Sequence, residues 1–317
     1  VADGGFLHDD REFGDALAIV ATQRGVGEAL VEKDYWITHT LWALVEAGLT
    51  VSFKGGTSLS KGFGLIRRFS EDLDVKIESP GLPAVPDWES TSKTAGLARR
   101  AYFVALGERL QVPGARVEED PALRDEAWRS ATFKVTYPKR SAGALPAVMR
   151  PYVQLEVGSA RITPGEPRPL TSWLHELVEE QGRLGTDFIA NVPGDVHCVS
   201  PLVTLLEKIE AITRRFAREP LDPPTFVRHF EDVYHILDSL SRQDMDRIRE
   251  LRIDMFAAGD LRRPTGPEDV AWAYDGALEA WARIERAWEE TSGLFWGERV
   301  AVRDCVSSIR SFLASLG

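Results

Sequence analysis

Three carboxylates in this chain fall where alternating sequence would place them on one surface. Residues two apart in a strand share a face. In 72–77 the polar set is Asp72, Asp74 and Lys76, opposite Leu73, Val75 and Ile77. In 132–137, Thr132, Lys134 and Thr136 oppose Phe133, Val135 and Tyr137, and in 153–157, Gln154 and Glu156 oppose Val153, Leu155 and Val157. Two carboxylates a few Å apart raise one another's pKa unless a cation neutralises them. With a third from a neighbouring strand they suit Mg²⁺ or Mn²⁺, which take hard oxygens and keep positions open for phosphate. Two such ions about 4 Å apart clamp the attacking and leaving oxygens of an in-line phosphoryl displacement. For an isolated Asp-x-Asp, a solvated sheet face of alternating charge is the commoner explanation.

The segment just upstream shifts that balance. Lys54-Gly55-Gly56-Thr57-Ser58 joins a short strand to a helix. Two glycines let backbone approach a ligand closely, and hydroxyls and amides at a helix start suit phosphate oxygens. The order GxxxxGK[ST] of a P-loop is absent, and Gly62-Phe63-Gly64 lacks the third glycine of a dinucleotide fingerprint.

The elements that must position these residues follow from periodicity and punctuation. Helices are expected over 10–24 and 28–47, a strand over 50–53, a helix over 59–67 and a strand over 72–78. A Pro/Gly/Ser-rich surface loop covers 79–92, a helix 93–110, and strands 131–137 and 152–157 flank a basic hairpin loop holding Lys139, Arg140 and Arg150. A Pro-broken stretch over 163–169 gives way to helical patterns at 201–216, 224–240, 242–256, 267–288 and 298–316. The order is helices, a mixed sheet region, then a helical tail, an α+β arrangement divided into 1–200 and 201–317.

Composition sets the outer bounds. With 44% hydrophobic and 27% charged residues over 317 positions, the chain is an ordinary globular mixture. No stretch approaches the roughly 18 apolar residues of a spanning helix. Residues 1–10 show no basic region followed by an apolar run, so no secretory signal is expected. Cys198 and Cys305 form no zinc-like array, and a reducing cytoplasm is the expected home. The 38 basic and 49 acidic side chains leave −11, which counts against a chromatin-like coat. Lys61, Arg67, Arg68, Lys134, Lys139, Arg140 and Arg150 nonetheless cluster around the sheet segment, a possible track for a nucleic-acid backbone. His229 and His235 are six apart, a poor spacing for joint metal ligation. Trp272, Trp281, Trp288 and Trp296 are expected to fill core gaps.

Five ordered motifs carry a resemblance. Lys54-Gly55-Gly56-Thr57-Ser58-Leu59-Ser60-Lys61 followed by Arg68-Phe69-Ser70-Glu71-Asp72-Leu73-Asp74 resembles the AbiEii family of nucleotidyltransferase toxins, including its MenT branch. Val31-Glu32-Lys33-Asp34-Tyr35-Trp36 is similar to the family's N-terminal helix motif. Leu205-Leu206-Glu207-Lys208 and Arg228-His229-Phe230-Glu231-Asp232-Val233-Tyr234 are similar to its two later helical motifs. The resemblance implies a DNA-polymerase-beta-like nucleotidyltransferase core with a mixed sheet, N-terminal helices and a helical C-terminal region. It implies a toxin of a type IV-like toxin–antitoxin pair, with a cognate antitoxin as partner. The reaction would be Mg²⁺-dependent transfer from an NTP to the tRNA 3′ acceptor end, blocking aminoacylation and translation. By the same resemblance Gly55, Gly56, Thr57 and Ser58 would hold the triphosphate, with Lys61, Arg68 and Ser70 beside it. Asp72 and Asp74 would bind metal, Glu156 would be the third carboxylate, Lys208 would contact phosphates, and Asp232 would complete the polar site.

Ser70, two residues before Asp72, either steadies the start of the strand or serves as a control point where a phosphate would compete with the triphosphate. Two rival readings stay open. One keeps the chemistry and changes the acceptor to a protein or small-molecule hydroxyl; the other is a catalytically silent nucleotide- or RNA-binding module.

Overall fold

A computed structural model describes residues 4–70, 72–85 and 87–316. Glu71 of the quoted motif, residue 86 of the 79–92 loop and residues 1–3 lie outside the described residues. The chain divides into two compact units. The first holds 4–62 and Phe69–Cys198, and the second holds Phe63–Arg68 and 199–316.

Seven strands organise the first unit: Thr50–Lys54 (β1), Asp72–Glu78 (β2), Arg116–Glu119 (β3), Ser130–Thr136 (β4), Val153–Gly158 (β5), Gly165–Leu170 (β6) and Gly194–Val199 (β7). They form one mixed sheet of order β3-β4-β5-β2-β1-β7-β6. β1 runs antiparallel to β2 and parallel to β7, β2 parallel to β5, and β4 antiparallel to both β3 and β5. The expected alternation is realised: Leu73, Val75, Ile77, Phe133, Val135, Val153, Leu155 and Val157 are all buried on one face. Burying each such side chain contributes about 1.5–3 kcal/mol, so a one-residue slip of β2 would be prohibitive and its register is fixed.

Helices Phe13–Arg24 (α1), Glu28–Glu46 (α2), Lys93–Arg109 (α4) and Trp173–Glu180 (α5) belong to this unit. A short helical turn, Gly55–Thr57 (α3), runs into a single π-helical turn over Ser58–Gly62. α2 is buried almost all round, with Trp36 stacked on Tyr137 at 5.1 Å. Asn191 is the hub of a buried polar network. Its Nδ2 lies 2.9 Å from the Tyr35 hydroxyl and 2.8 Å from His39 Nδ1, and its Oδ1 lies 3.0 Å from His175 Nε2.

The second unit is helical: Pro201–Phe216 (α6), Arg228–Asp238 (α7), Arg242–Ala258 (α8), Glu279–Glu290 (α9) and Val302–Leu316 (α10). Ser200 caps α6 by accepting from Leu202 N, with Pro201 in the first turn, and Ser241 with Asp244 forms a capping box on α8. The Phe63–Arg68 segment is part of this unit. Arg67 O accepts from Trp296 N at 3.0 Å, and Arg68 forms a β-bridge with Phe295.

Four expectations are corrected. The helix expected over 59–67 ends at Gly62, and Gly64 follows with φ +63°, a conformation a helix cannot continue through. The helix expected over 267–288 is a 3₁₀ turn, Val270–Trp272, then α9 from Glu279, because the 273–278 stretch breaks around Gly276. The Pro-broken stretch over 163–169 is instead β6, at a sheet edge where proline's missing N–H is tolerated. The 224–240 helix begins only at Arg228, after a 3₁₀ turn over Pro223–Thr225. Trp272, Trp281 and Trp288 are buried as expected, and Trp296 is half-buried.

Candidate active site

In the sheet unit, strand register assembles the carboxylates. The parallel β2–β5 pairing sets Asp74 opposite Glu156 and Asp72 opposite Gln154, while β1–β2 sets Lys54 opposite Asp74. Glu156 is pushed up to about 7, first by burial and then by the charges of Asp74 and Asp72; Lys54 and Arg150 pull it back only partly. The three acids therefore share one electrostatic environment. Arg150 Nη1 stands 3.4 Å from Asp72 Oδ1.

Gly55 is required by this arrangement. Its φ is +79°, and a Cβ built on it would lie 2.1 Å from Asp74 Oδ2. The Asp74 carboxylate thus rests on the bare Cα of the turn. The side chain of Lys54, the residue before the turn, makes no capping bond to it. Gly56 is buried in the same turn. The Thr57 hydroxyl lies 3.0 Å from Ser70 O and 2.7 Å from Asp72 O, and so ties the turn to the first residues of β2. Ser58 is buried, with its hydroxyl against the Cys198 thiol. Lys61 Nζ lies 2.5 Å from Asp34 Oδ1 and donates to Thr171 O at 2.9 Å. Thr57 and Lys61 thus have structural tasks within the unit.

The α2 motif does the positioning. Glu32 Oε1 accepts from Arg140 N at 2.7 Å, and its Oε2 accepts from Ser141 Oγ at 2.6 Å. Glu28 accepts from Ala142 N at 2.8 Å, and Lys33 Nζ donates to Arg150 O at 2.6 Å. These contacts fix the loop between β4 and β5 and with it Arg150. Three consecutive charged residues buried within one helix, Glu32-Lys33-Asp34, were the sequence signal for this clamp. Several supposed nucleic-acid contacts have partners within the unit: Lys134 pairs with Asp120 at 2.8 Å, Lys139 donates to Gly143 O, and Arg140 donates to Asp10 O at 3.2 Å.

In the helical unit, α6 brings Lys208 and α7 brings Asp232 into one buried cluster with Arg68. Arg68 Nε and Nη2 each reach one Asp232 oxygen at 2.7 Å, and Lys208 Nζ reaches Asp232 Oδ2 at 2.8 Å. Burial alone would raise the Asp232 pKa, but Arg68 and Lys208 override it and hold the carboxyl well below its ordinary range. One carboxylate here faces two cations. His229, set aside at first, lies against the same lysine, with Nδ1 3.2 Å from Lys208 Nζ.

The chemistry of the donor set on the sheet, three carboxylates on one face, suits a hard divalent cation. Among the described residues, no three His, Cys, Asp or Glu side chains are grouped closely enough to hold a metal ion. The two cysteines are buried and free; burial raises both thiols, Cys198 to about 11.

The sequence profile of the family described as nucleotidyl transferase AbiEii toxin, Type IV TA system, matches residues 40–294. This chain belongs to the AbiEii family. No curated protein matches it significantly. The protein is therefore a nucleotidyltransferase. Membership in this type IV toxin–antitoxin family implies a nucleoside triphosphate as substrate and an antitoxin as partner. The matched span contains the glycine turn, all three carboxylates, Lys208 and Asp232. Among the described residues, no helix is long and apolar enough to cross a membrane.

Proposed function

We propose that this toxin transfers nucleotides from an NTP to the 3′ acceptor end of tRNA, blocking aminoacylation and so translation, through a polymerase-beta-like core in the sheet unit. The observation that carries the chemistry is Asp74 beside Glu156 with Asp72 on the same face, where burial and then the charges of Asp74 and Asp72 lift Glu156 to about 7. Asp72, Asp74 and Glu156 would hold Mg²⁺, which when bound neutralises triphosphate charge and acidifies an incoming hydroxyl.

The remaining roles belong to the chain itself. A carboxylate of this cluster, Asp74 or Glu156, would accept the proton of the acceptor hydroxyl. Gly55 and Gly56 let the triphosphate approach backbone amides. Ser58 and Ser70 border that turn. Arg150, held by Lys33, balances Asp72 before substrate arrives. In the helical unit, Lys208, supported by Asp232 and Arg68, offers positive charge to phosphate oxygens and to departing pyrophosphate.

The experiment is incubation of the purified protein with each labelled NTP in turn and total tRNA. Asp72→Ala and Asp74→Ala should lose transfer by about 100- to 1,000-fold, the scale set by removing a preorganised electrostatic group, with circular dichroism unchanged. Undiminished transfer in either variant overturns the metal assignment. Label appearing on protein and not on RNA would move the acceptor to a side-chain hydroxyl.

A further inference from the structure

We infer that Gln154 is a specificity-determining residue whose side-chain amide hydrogen-bonds a ribose 2′-hydroxyl, so that the site takes ribonucleotides in preference to 2′-deoxyribonucleotides. This role rests on the nucleotide-transferring reading of the sheet unit; the ribose is that of an RNA acceptor end or that of the NTP. Strand register places Gln154 among the acids. It is paired with Asp72 on β2 and with Lys134 on β4, and Glu156 stands two residues further along β5 on the same face. Paired residues on neighbouring strands lie about 5 Å apart and same-face neighbours on one strand about 7 Å apart, so a group bound at the carboxylates has this amide beside it.

Gln154 is only 7% exposed, and among the described residues its Oε1 has no hydrogen-bond partner. The adjoining side chains are engaged elsewhere. Lys134 Nζ is drawn to Asp120 Oδ2 at 2.8 Å and lies 5.3 Å from the centre of the Tyr152 ring. Asp72, itself an acceptor, faces Arg150. Buried polar groups in folded proteins are paired in the great majority, and a buried acceptor left unpaired costs more than a made bond returns. An orphaned amide on the face that carries the reaction is therefore a handle for substrate.

The chemistry of that acceptor selects its ligand. Phosphate and carboxylate oxygens would bring acceptors to an acceptor and negative charge to Asp72. A hydroxyl both donates and accepts, so it pairs with whichever end of the carboxamide meets it. The terminal torsion of glutamine is broad, and a half-turn exchanges Oε1 and Nε2. A nucleotide whose sugar hydroxyl is brought to the carboxylates carries such a group with it. In ribose the 2′-hydroxyl sits on the carbon next to that bearing the 3′-hydroxyl, while the base is attached one carbon further away. The same hydroxyl is what tells RNA from DNA.

The test is equilibrium dialysis of the full-length protein with Mg²⁺, each labelled probe given alone so that no transfer occurs. The probes are the four NTPs against their 2′-deoxy counterparts, and a short oligoribonucleotide against the same oligomer with a 2′-deoxy residue at its 3′ end. The ribo member of at least one pair should bind about tenfold more tightly, the worth of one hydrogen bond, and that pair names the source of the ribose. Gln154→Met keeps the length and removes the amide. It should bind both members as the unaltered protein binds the deoxy one. Its urea midpoint should stay level or rise, because an unpaired buried polar group has been replaced by an apolar one of similar shape.

Equal affinities within every pair, or no binding of any probe, overturns the proposal. So does a preference that survives in Gln154→Met, or a fall in that variant for ribo and deoxy members alike, which would make the residue part of the framework or of the metal site. A preference kept by a protein that transfers label to no acceptor would instead sink the transferase reading and leave the ribose contact standing.

Discussion

The sheet unit and the helical unit each hold a buried charge cluster, and a carboxyl group in each is displaced in the opposite direction from the other. On the sheet, three acids share a face and Glu156 is lifted to about 7. In the helical unit, one acid faces two cations and Asp232 is held well below its ordinary range. A structural ion cluster would be expected to balance locally, because taking a charge out of water costs several kcal/mol unless it is paired. The first cluster gathers acids around a raised Glu156, and in the second two cations share Asp232. Strongly displaced carboxyl groups of both kinds occur where ligands bind.

The largest effect that follows separates the clusters by stability. Asp232→Ala removes the carboxylate that Arg68 and Lys208 share and should cost about 3–5 kcal/mol, read as a lower urea midpoint with an unchanged slope. Asp74→Asn keeps the shape and relieves repulsion, so without metal its midpoint should stay level or rise. Equal destabilisation by both changes would break the contrast and make the carboxylates on the sheet structural. A smaller effect sharpens the same contrast through backbone. Gly55→Ala places a Cβ 2.1 Å from Asp74 Oδ2 at φ +79°. The left-handed conformation alone costs roughly 1–2 kcal/mol, and the carboxylate must also move. Transfer should therefore fall further than that stability loss explains, which activity assays at a temperature well below the melting transition would show.

What sequence could reveal differs between the units for a physical reason. β2, β4 and β5 were legible because one apolar face imposes strict alternation, and that alternation also put Asp72, Asp74 and Glu156 together. β6 was hidden by Pro167 and Pro169, which read as breakers until the strand is seen to lie at the sheet edge. β7 and α5 are short and flanked by irregular segments, so neither left a long periodic signal. In the helical unit, Lys208 and Asp232 stood out only by resemblance. Arg68 is 164 residues from Asp232 along the chain, and no local pattern announces such a pair. His229 was passed over because histidine spacing speaks to shared metal ligation and is silent about a lysine one helix away.

The smallest expected effect is the dependence of stability on pH, and it reads the same imbalance without any substrate. Glu156 has a folded pKa raised to about 7 from 4.5. Its contribution is complete below the unfolded value and is lost as pH rises through 7, where the folded protein must ionise against Asp74 and Asp72. His39 and His175 are displaced the other way, to about 3 and about 4, first by burial. Their contribution is complete above about 6.5 and is lost as pH falls toward the folded values, because the unfolded chain then binds protons that the folded one refuses. Melting temperature in EDTA should thus decline on both sides of a maximum below neutrality. Mg²⁺ should flatten the alkaline limb alone, since a bound cation favours the ionised acids and leaves the buried histidines untouched. Glu156→Gln should flatten that limb even in EDTA. An alkaline limb that survives the substitution would mean that another group titrates there, and that Glu156 is not the displaced acid of the sheet.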